Sequence, residues 1–184
     1  MAFDHPKIFM ISGGPGAGKT TLIAELSKLG YATAPETARQ IIQEQVRLRG
    51  TALPWADKEA FAHLMLERSI ESYLYYVKQA GPIFCDRGIP DALCYARLIG
   101  MGDELAMQLA CRRYRYAPLV FLAPPWKEIY VTDDERKQDF AEAVRTYEKM
   151  ASVYEYCGYE TIELPKMTPK ARADFVLEKI QPAS

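Results

Sequence analysis

Residues 13–20 read Gly-Gly-Pro-Gly-Ala-Gly-Lys-Thr and match the pattern G-x-x-x-x-G-K-[ST] at every fixed position. Glycines let backbone N–H groups converge on phosphate oxygens without crowding, and the helix that follows adds the positive end of its dipole. In this pattern Lys19 reaches the β- and γ-phosphates, and the Thr20 hydroxyl binds Mg²⁺. An apolar run precedes the pattern and a helical spacing of Leu and Ile follows it. That context favours a phosphate-binding loop over an ordinary tight turn.

The loop and the first turn of its helix form the expected nucleotide-binding set. Its members are Gly13, Gly14, Gly16, Ala17, Gly18, Lys19, Thr20 and Thr21. The expected ligand is a nucleoside triphosphate, ATP together with Mg²⁺. We expect Lys19 to act in catalysis and Thr20 to bind the metal.

The bulk composition is that of a globular protein with one core. The chain has 184 residues, of which 49% are hydrophobic and 26% charged. A formal net charge of -1 creates no global field toward nucleic acid or anionic lipid, so we expect neither as a partner. No run reaches the ~18 apolar residues of a membrane span. Since a signal-peptide layout is also absent, we expect a cytoplasmic protein.

The cysteines do not form a framework. Cys85, Cys94, Cys111 and Cys157 include no C-x-x-C pair. A disulfide or zinc framework would need closer, patterned spacing. We therefore expect reduced, buried thiols.

Short apolar runs alternate with helical repeats along the whole chain. The apolar runs predict strands at 7–12, 31–35, 83–85, 119–122 and 159–164. The helical spacings predict helices at 18–29, 36–49, 57–79, 90–98, 103–113, 139–156 and 169–180. This alternation predicts an α/β protein with a five-stranded parallel sheet in a three-layer αβα arrangement. With no repeat or linker, we expect a single domain over residues 1–184.

Residue types and motifs that are absent from the sequence narrow the possible classes of nucleotide-binding protein. It contains no asparagine, which excludes the N-K-x-D guanine-reading motif of GTPases and an asparagine sensor of motor ATPases. A motor would also carry Asp-Glu at the end of an apolar strand, with the Glu polarising water. The third and fourth predicted strands end instead in Cys85-Asp86-Arg87 and Leu122-Ala123-Pro124. A GTPase or a motor is therefore disfavoured.

Asp86 and Arg87 follow the third predicted strand, at the edge of the sheet where open α/β proteins bind ligands. Asp86 could hold Mg²⁺ through water or accept a proton from an attacking hydroxyl, or it could simply cap the next turn. Arg87 could clamp an anion of the acceptor or form a plain ion pair. Asp91, on the next helix, suits helix capping and substrate contact equally well.

Glu36 and Arg39 follow the second predicted strand and lie one helical turn apart. They suit a hydroxyl-bearing acceptor, with Glu36 accepting a proton and Arg39 binding an anion or the γ-phosphate. A surface ion pair is the alternative. The expected substrate-binding residues are thus Glu36, Arg39 and Arg87, and the general base is either Asp86 or Glu36.

Residues 133–137, Asp-Asp-Glu-Arg-Lys, come after the fourth predicted strand, where many small-molecule kinases carry a short mobile lid. A lid arginine spreads the charge of the transferred phosphoryl group and helps to exclude water. Arg136 is the candidate, and the alternative is a solvated charged surface.

Several other basic and aromatic residues are weaker candidates for contact with a ligand. One of Arg112, Arg113 and Arg115 could touch phosphate or adenine. Trp126 is expected to pack in the fold, as is Trp55, although Trp55 could alternatively stack on a substrate ring.

The order of these segments resembles a family of small P-loop proteins labelled AAA-domain ATPases, related to the ribosylnicotinamide-kinase domain and to nucleoside and nucleotide kinases. The resemblance covers about Lys7 to Ile180. The segments that carry it are residues 13–20, Glu36–Arg39, Asp86–Gly88, Arg115-Tyr116 before Leu119–Leu122, Asp133-x-x-Arg136, and Gly158-Tyr159 before Leu164-Pro165.

The resemblance implies a five-stranded, kinase-like P-loop NTPase fold that binds ATP. It implies phosphate binding by Gly16, Gly18, Lys19 and Thr20, and roles near the transferred phosphoryl group for Asp86 and Arg136. The resulting hypothesis is a kinase that transfers the γ-phosphoryl group to a small nucleoside- or nucleotide-like acceptor between Glu36/Arg39 and Asp86/Arg87. The alternatives are an ATPase or nucleotide-dependent switch acting on a protein partner, and a binding module without turnover.

Overall fold

The computed structural model describes residues 6–129 and 140–181. The strands are β1 Ile8–Gly13, β2 Ala32–Ala34, β3 Ile83–Asp86, β4 Leu119–Ala123 and β5 Glu160–Glu163. The helices are α1 Lys19–Lys28, α2 Thr37–Leu48, α3 Lys58–Tyr76, α4 Ile89–Leu98, α5 Leu105–Arg113, α6 Phe140–Tyr156 and α7 Pro169–Ile180. A single 3₁₀ turn covers Lys127–Ile129.

The strands form a five-stranded sheet in the order β2-β3-β1-β4-β5, and every neighbouring pair is parallel. In this register Ile11 lies opposite Asp86, and Gly13 lies opposite Ala123. The carboxyl ends of β1, β3 and β4 therefore meet at one edge of the sheet, where parallel α/β proteins bind ligands. The predicted α/β fold is confirmed.

The two faces of the sheet are covered by different helices. Because successive strand residues point to opposite faces, Ile8 and Met10 pack toward α2–α6, in the larger core. Ile11 and Phe84 pack on the other side against Leu22 of α1 and its neighbours on α7. Burial on both faces explains why the central strands are almost continuously apolar. This is the three-layer arrangement expected from the sequence.

The observed element bounds fall within a few residues of those predicted. The largest difference is the third helix, expected to run to residue 79, which ends at Tyr76. Its start is fixed by Asp57, whose side chain accepts a hydrogen bond from the Ala60 N–H at 2.9 Å. The predicted lid at 133–137, with Arg136, lies outside the described residues.

All four cysteines are free thiols, and Cys85, Cys94 and Cys111 are buried. Of the helices that the structure describes, none has the length and apolar character needed to cross a bilayer.

Candidate active site

The turn between β1 and α1 has a backbone that only glycine accommodates at several positions. Gly13, Gly16 and Gly18 have φ values of 137°, 69° and 77°, in the left-handed region that other residues avoid. A Cβ on Gly13 would lie 2.3 Å from the carbonyl oxygen of Ala123 on the neighbouring strand. The glycine pattern is therefore required by close backbone packing as well as by any ligand.

Lys19 is held against this turn by its own ammonium group. The side chain is buried, and Nζ donates hydrogen bonds to the carbonyl oxygens of Gly13 at 3.1 Å and Gly14 at 2.8 Å. Thr20 and Thr21 are exposed at the start of α1, and the Thr21 hydroxyl donates to the Gly18 carbonyl oxygen at 2.9 Å. The loop therefore positions a cation beside its backbone and leaves the Thr20 hydroxyl accessible.

A cavity of about 700 Å³, here called the loop pocket, lies against the phosphate-binding loop. Its volume is in the range of sites for cofactors and drug-sized ligands. The walls come from the loop, from the segment after β4 and from the segment after β5. The lining residues that the structure describes are Gly16, Ala17, Gly18, Lys19, Thr20, Thr21, Glu36, Trp126, Ile129, Lys166, Met167, Thr168, Pro169 and Arg172.

Arg172 of α7 joins two of these walls. Although it is an arginine, it is only 2% exposed. Its Nε donates to the Pro165 carbonyl oxygen at 2.7 Å, and its Nη1 donates to the Ala17 carbonyl oxygen at 2.8 Å. The guanidinium lies 4.9 Å from the ring centroid of Trp126, a cation–π contact. Burial lowers the pKa of Arg172, and its Nη2 has no hydrogen-bond partner among the described residues.

This side of the loop pocket is not predicted by the sequence patterns. Trp126 was expected only to pack, whereas it is half-buried and lines the cavity. Residues 166–169 follow β5, so the strand-end rule used for β2 and β3 would have pointed to them. Arg172 gave no such signal, because a single arginine on a charged terminal helix resembles a solvated surface residue.

Asp86 ends β3 beside the loop, and it is only 6% exposed. Burial raises the pKa of Asp86, the Lys19 ammonium opposes that rise, and the Glu36 carboxylate adds to it. Its Oδ1 has no hydrogen-bond partner among the described residues. A buried carboxylate oxygen without a donor is costly to maintain, and a bound cation would satisfy it.

These residues fit a magnesium ion that is held mainly by its nucleotide. Within residues 6–129 and 140–181, no group of three or more His, Cys, Asp or Glu side chains is arranged to bind a metal by itself. Mg²⁺ in phosphate sites needs only one or two protein ligands besides phosphate oxygens and water. Asp86, through its unpaired Oδ1, and the exposed residue Thr20 are the candidate protein ligands of this kind.

A second cavity, about 310 Å³ in volume and here called the helix pocket, lies among α2, α3, α4 and α6. Its described polar lining residues are Glu36, Arg39, Arg87, Asp91 and Thr146. The remainder of the described lining is mostly apolar and comprises Pro15, Ala38, Ile42, Pro54, Phe61, Met65, Cys94, Tyr95, Leu98 and Met150. Glu36 lines both this cavity and the loop pocket.

Arg87 is held between two carboxylates of the helix pocket. Its Nε donates to Glu36 Oε1 at 2.9 Å and its Nη1 to Asp91 Oδ1 at 3.4 Å. Burial by itself lowers the pKa of Arg87, but Glu36, Asp91 and Asp86 more than offset this and raise the pKa overall. Arg87 also has a φ of 72°, which is unusual for a residue with a side chain. The guanidinium is therefore fixed by its partners as a permanent cation.

Asp91 is buried and satisfied on both carboxylate oxygens. Oδ2 accepts hydrogen bonds from the Gly88 N–H at 2.8 Å and the Tyr154 hydroxyl at 2.5 Å, and Oδ1 accepts from the Ser12 hydroxyl at 2.5 Å. Burial and the Asp91 charge raise the pKa of Tyr154 well above its usual value, so its hydroxyl keeps the proton that it donates. Asp91 thus caps α4 and lines the helix pocket at once, two roles that the sequence left open.

Not every residue singled out from the sequence reaches a pocket. Arg112, Arg113 and Arg115 precede β4 and so lie toward the opposite edge of the sheet, and none lines either pocket. Arg115 donates instead to the carbonyl oxygens of Cys111 at 3.2 Å and Cys157 at 2.7 Å. None of the three is therefore part of the described lining of the loop pocket or the helix pocket. Trp55 is 61% exposed and lines neither pocket.

The comparison that decides the family covers most of the chain. The model of a family described as an AAA domain matches residues 8–172. The chain belongs to this family. No curated protein matches the sequence of this AAA-domain chain.

Solved structures share the fold of the AAA-domain chain at low sequence identity. NadR in complex with NR superposes with a TM-score of 0.71 at 16% identity, covering 93% of this chain and 50% of that chain. Thymidylate kinase from Ehrlichia chaffeensis has a TM-score of 0.65 at 14% identity, covering 95% and 98%. Shikimate kinase from Acinetobacter baumannii in complex with shikimate has a TM-score of 0.56 at 14% identity, covering 96% and 93%.

The AAA-domain chain thus spans half the length of the NadR chain and nearly the full length of the two kinases. At these identities the likeness shows the fold, which is that of the P-loop kinases. The family and fold expected from the sequence are both confirmed.

Proposed function

We propose that the protein is a phosphotransferase that moves the γ-phosphoryl group of Mg²⁺-ATP from the loop pocket to a hydroxyl of a small molecule in the helix pocket. The observation that carries this proposal is the position of Glu36, which lines both pockets. A group that removes the proton of an attacking hydroxyl must lie where donor and acceptor meet. Glu36 is the described carboxylate in that position.

The loop pocket supplies the ATP site. Backbone N–H groups of residues 13–20 would surround the phosphates, and Lys19 would neutralise charge on the β- and γ-phosphates. The segment containing Trp126 and the segment 166–169 supply further walls of the cavity, and we assign the nucleotide base to these walls. The fold that this chain shares with proteins named as kinases supports the assignment.

Glu36 and Asp86 divide the acid–base and metal roles. We assign the general base to Glu36, because it lines both pockets, whereas Asp86 is among the described lining residues of neither. Asp86 and Thr20 would hold Mg²⁺, which when bound neutralises charge on the phosphate oxygens. Glu36 takes the proton of the acceptor hydroxyl while the oxygen of that hydroxyl forms a bond to the γ-phosphorus of ATP. The bond to the bridging oxygen breaks, and ADP leaves with that electron pair.

The arginines complete the proposed site. Arg87 holds the Glu36 carboxylate through a 2.9 Å hydrogen bond and so orients the base. Arg39, on the next turn of α2, lines the helix pocket and can contact the acceptor or the transferred phosphoryl group. Arg136, outside the described residues, keeps its proposed role in a lid.

The test is ADP release with Mg²⁺-ATP and a panel of acceptors. The panel contains nucleosides, nucleoside monophosphates, shikimate and vitamin-like alcohols, and the Lys19→Ala variant serves as the blank. We expect at least one compound to raise ADP release about tenfold or more above the acceptor-free rate, since uncoupled hydrolysis lacks a positioned nucleophile. If no compound does so and a protein partner does, the protein is a nucleotide-dependent switch and the proposal is wrong.

A further inference from the structure

We infer that the acceptor bound in the helix pocket is an uncharged alcohol with a flat apolar part, and that phosphate monoesters are rejected. This inference rests on the proposed function, since it specifies the acceptor of the same reaction. It separates two classes, nucleoside-like and nucleotide-like compounds, that differ by one phosphate group and about two charges.

The charges of the helix pocket cancel one another. Among its described lining residues, Arg39 and Arg87 carry the positive charges, and Glu36 and Asp91 carry the negative charges. A pocket that binds a phosphate dianion usually offers an excess of arginine or lysine donors, often in bidentate geometry. The balance here favours a ligand without net charge.

Arg87 is a largely buried cation of the helix pocket, and two of its three nitrogens already contact carboxylates. The contacts to Glu36 at 2.9 Å and to Asp91 at 3.4 Å engage both Nε and Nη1. A phosphate group placed against this guanidinium would also lie beside those two carboxylates. The phosphate and the carboxylates are all negatively charged, and adjacent like charges repel strongly in a partly buried site. A hydroxyl group carries no net charge and so meets no such repulsion.

A ligand phosphate cannot easily replace Asp91 as the partner of Arg87. Ser12 from β1, the Gly88 backbone and Tyr154 from α6 all donate to Asp91, in addition to Arg87. Moving this carboxylate away would leave several buried donors unsatisfied. The arrangement is therefore a fixed part of the pocket and not a surface pair that opens when a ligand arrives.

The rest of the helix pocket suits a flat apolar group. Phe61 and Tyr95 pack edge to face with ring centroids 5.2 Å apart, and the thioethers of Met65 and Met150 line the same cavity. Aromatic and methionine side chains favour ring-shaped ligands. The volume of about 310 Å³ is near the lower limit for small-molecule sites, so it suits one small ring system with its alcohol.

The first test measures binding of matched pairs to the full chain saturated with Mg²⁺ and a non-hydrolysable ATP analogue. The pairs are thymidine and thymidine 5′-monophosphate, cytidine and its 5′-monophosphate, and pyridoxine and pyridoxine 5′-phosphate, measured by titration calorimetry. For at least one pair we expect the alcohol to bind about tenfold or more tightly than its phosphate ester, because the ester would lie beside the carboxylates of Glu36 and Asp91 without an excess of positive charge to offset them. Equal or tighter binding of the esters, or no binding by any alcohol, would overturn the inference.

The second test alters the charge balance with a matched control. Glu36→Gln removes one of the two carboxylates that engage Arg87, and Glu44→Gln makes the same change on the same helix, where Glu44 pairs with Arg68 at 3.2 Å outside the helix pocket. We expect Glu36→Gln to improve binding of the ester relative to the alcohol by about tenfold, and Glu44→Gln to leave the ratio unchanged. An unchanged ratio in Glu36→Gln would show that the charge argument is wrong.

ADP release with the same pairs distinguishes this inference from the proposed function. If the esters support ADP release and the alcohols do not, the inference fails and the phosphotransferase stands. If alcohols bind preferentially but none raises ADP release above the Lys19→Ala blank, the pocket has the inferred preference and the phosphotransferase assignment fails.

Discussion

The loop pocket and the helix pocket meet at Glu36, but they are built in different ways. The phosphate wall of the loop pocket comes from one run of consecutive residues, 16–21, whose backbone N–H groups would face the phosphates. The helix pocket is built from residues spread from Pro15 to Met150, most of them on four helices. A site made of backbone depends on local conformation, whereas a site made of distant side chains depends on how the helices pack.

Backbone conformation shows the same contrast. In the loop the positive φ values belong to glycines, which adopt them without steric cost. In the helix pocket the positive φ belongs to Arg87, at 72°, where a side chain makes this conformation unfavourable by roughly 1 kcal/mol. Its ion pairs with Glu36 and Asp91 offset that cost. Single substitutions should therefore act differently on the two pockets.

Lys19→Ala should have the largest effect. It removes the loop cation beside Gly13 and Gly14. Because no other described side chain of the loop carries a positive charge, we expect ADP release to fall by about 10³-fold, the loss typical of removing a major electrostatic contact to the transition state. Steady-state assays with saturating acceptor measure it.

Lys28→Ala is the matched control for Lys19. It lies on the same helix, is exposed, and pairs with Glu25 at 2.6 Å. We expect wild-type turnover, since exposed pairs of this kind contribute little. If both variants kept activity, the phosphate wall would not depend on the loop cation as proposed.

Glu36→Gln tests the residue shared by the two pockets. Glutamine retains the size of the side chain but cannot take a proton, so kcat should fall by about 10²-fold while the KM for ATP changes little. Glu44→Gln on the same helix should keep wild-type kinetics. An effect confined to a rise in the KM for the acceptor would instead make Glu36 a binding residue and return the base to Asp86.

The loop pocket could be predicted from sequence where it is local. Residues 13–20 are contiguous, so one pattern reveals them, and the strand-end rule extends to residues 166–169. Arg172 could not be found in this way. Nothing in its helix shows that the guanidinium is buried and bonded to Ala17, because that contact depends on how α7 packs against α1.

The helix pocket could be predicted only in part. Glu36, Arg39 and Arg87 were found because they directly follow strands. The hydrogen bonds from Ser12 and Tyr154 to Asp91 could not be predicted. They form only because α6 packs over the end of β1. The fold itself was largely predictable, since the alternation of apolar runs and helical repeats determines a parallel sheet.

Trp126→Leu should have a smaller effect, limited to the loop pocket. It removes an aromatic wall and the contact with Arg172, so we expect the KM for ATP to rise about tenfold with kcat nearly unchanged. Trp55→Leu, at a position that is 61% exposed and outside both pockets, is the control and should change neither constant. An effect of equal size in both variants would mean that Trp126 acts only through general stability.

The smallest expected effect is the change that Asp86→Asn makes in the stability of the unliganded protein. Because burial raises the pKa of Asp86, the folded carboxyl binds a proton at pH values where the unfolded one has released it. Stability of the unliganded protein therefore falls as pH rises from the ordinary aspartate range toward the raised pKa, and then levels off. Asparagine cannot ionise, so Asp86→Asn should be the more stable protein at neutral pH by about 1 kcal/mol.

Urea unfolding between acid and neutral pH measures this difference, and Asp174→Asn on the exposed side of α7 is the matched control, with no gain expected. Adding Mg²⁺ and a non-hydrolysable ATP analogue should reverse the order, because ligand binding stabilises the wild type in proportion to affinity and Asp86→Asn lacks the proposed metal ligand. A loss of stability in unliganded Asp86→Asn would mean that the carboxylate is already satisfied within the fold. The loop pocket would then have to hold its metal through Thr20 and the nucleotide alone.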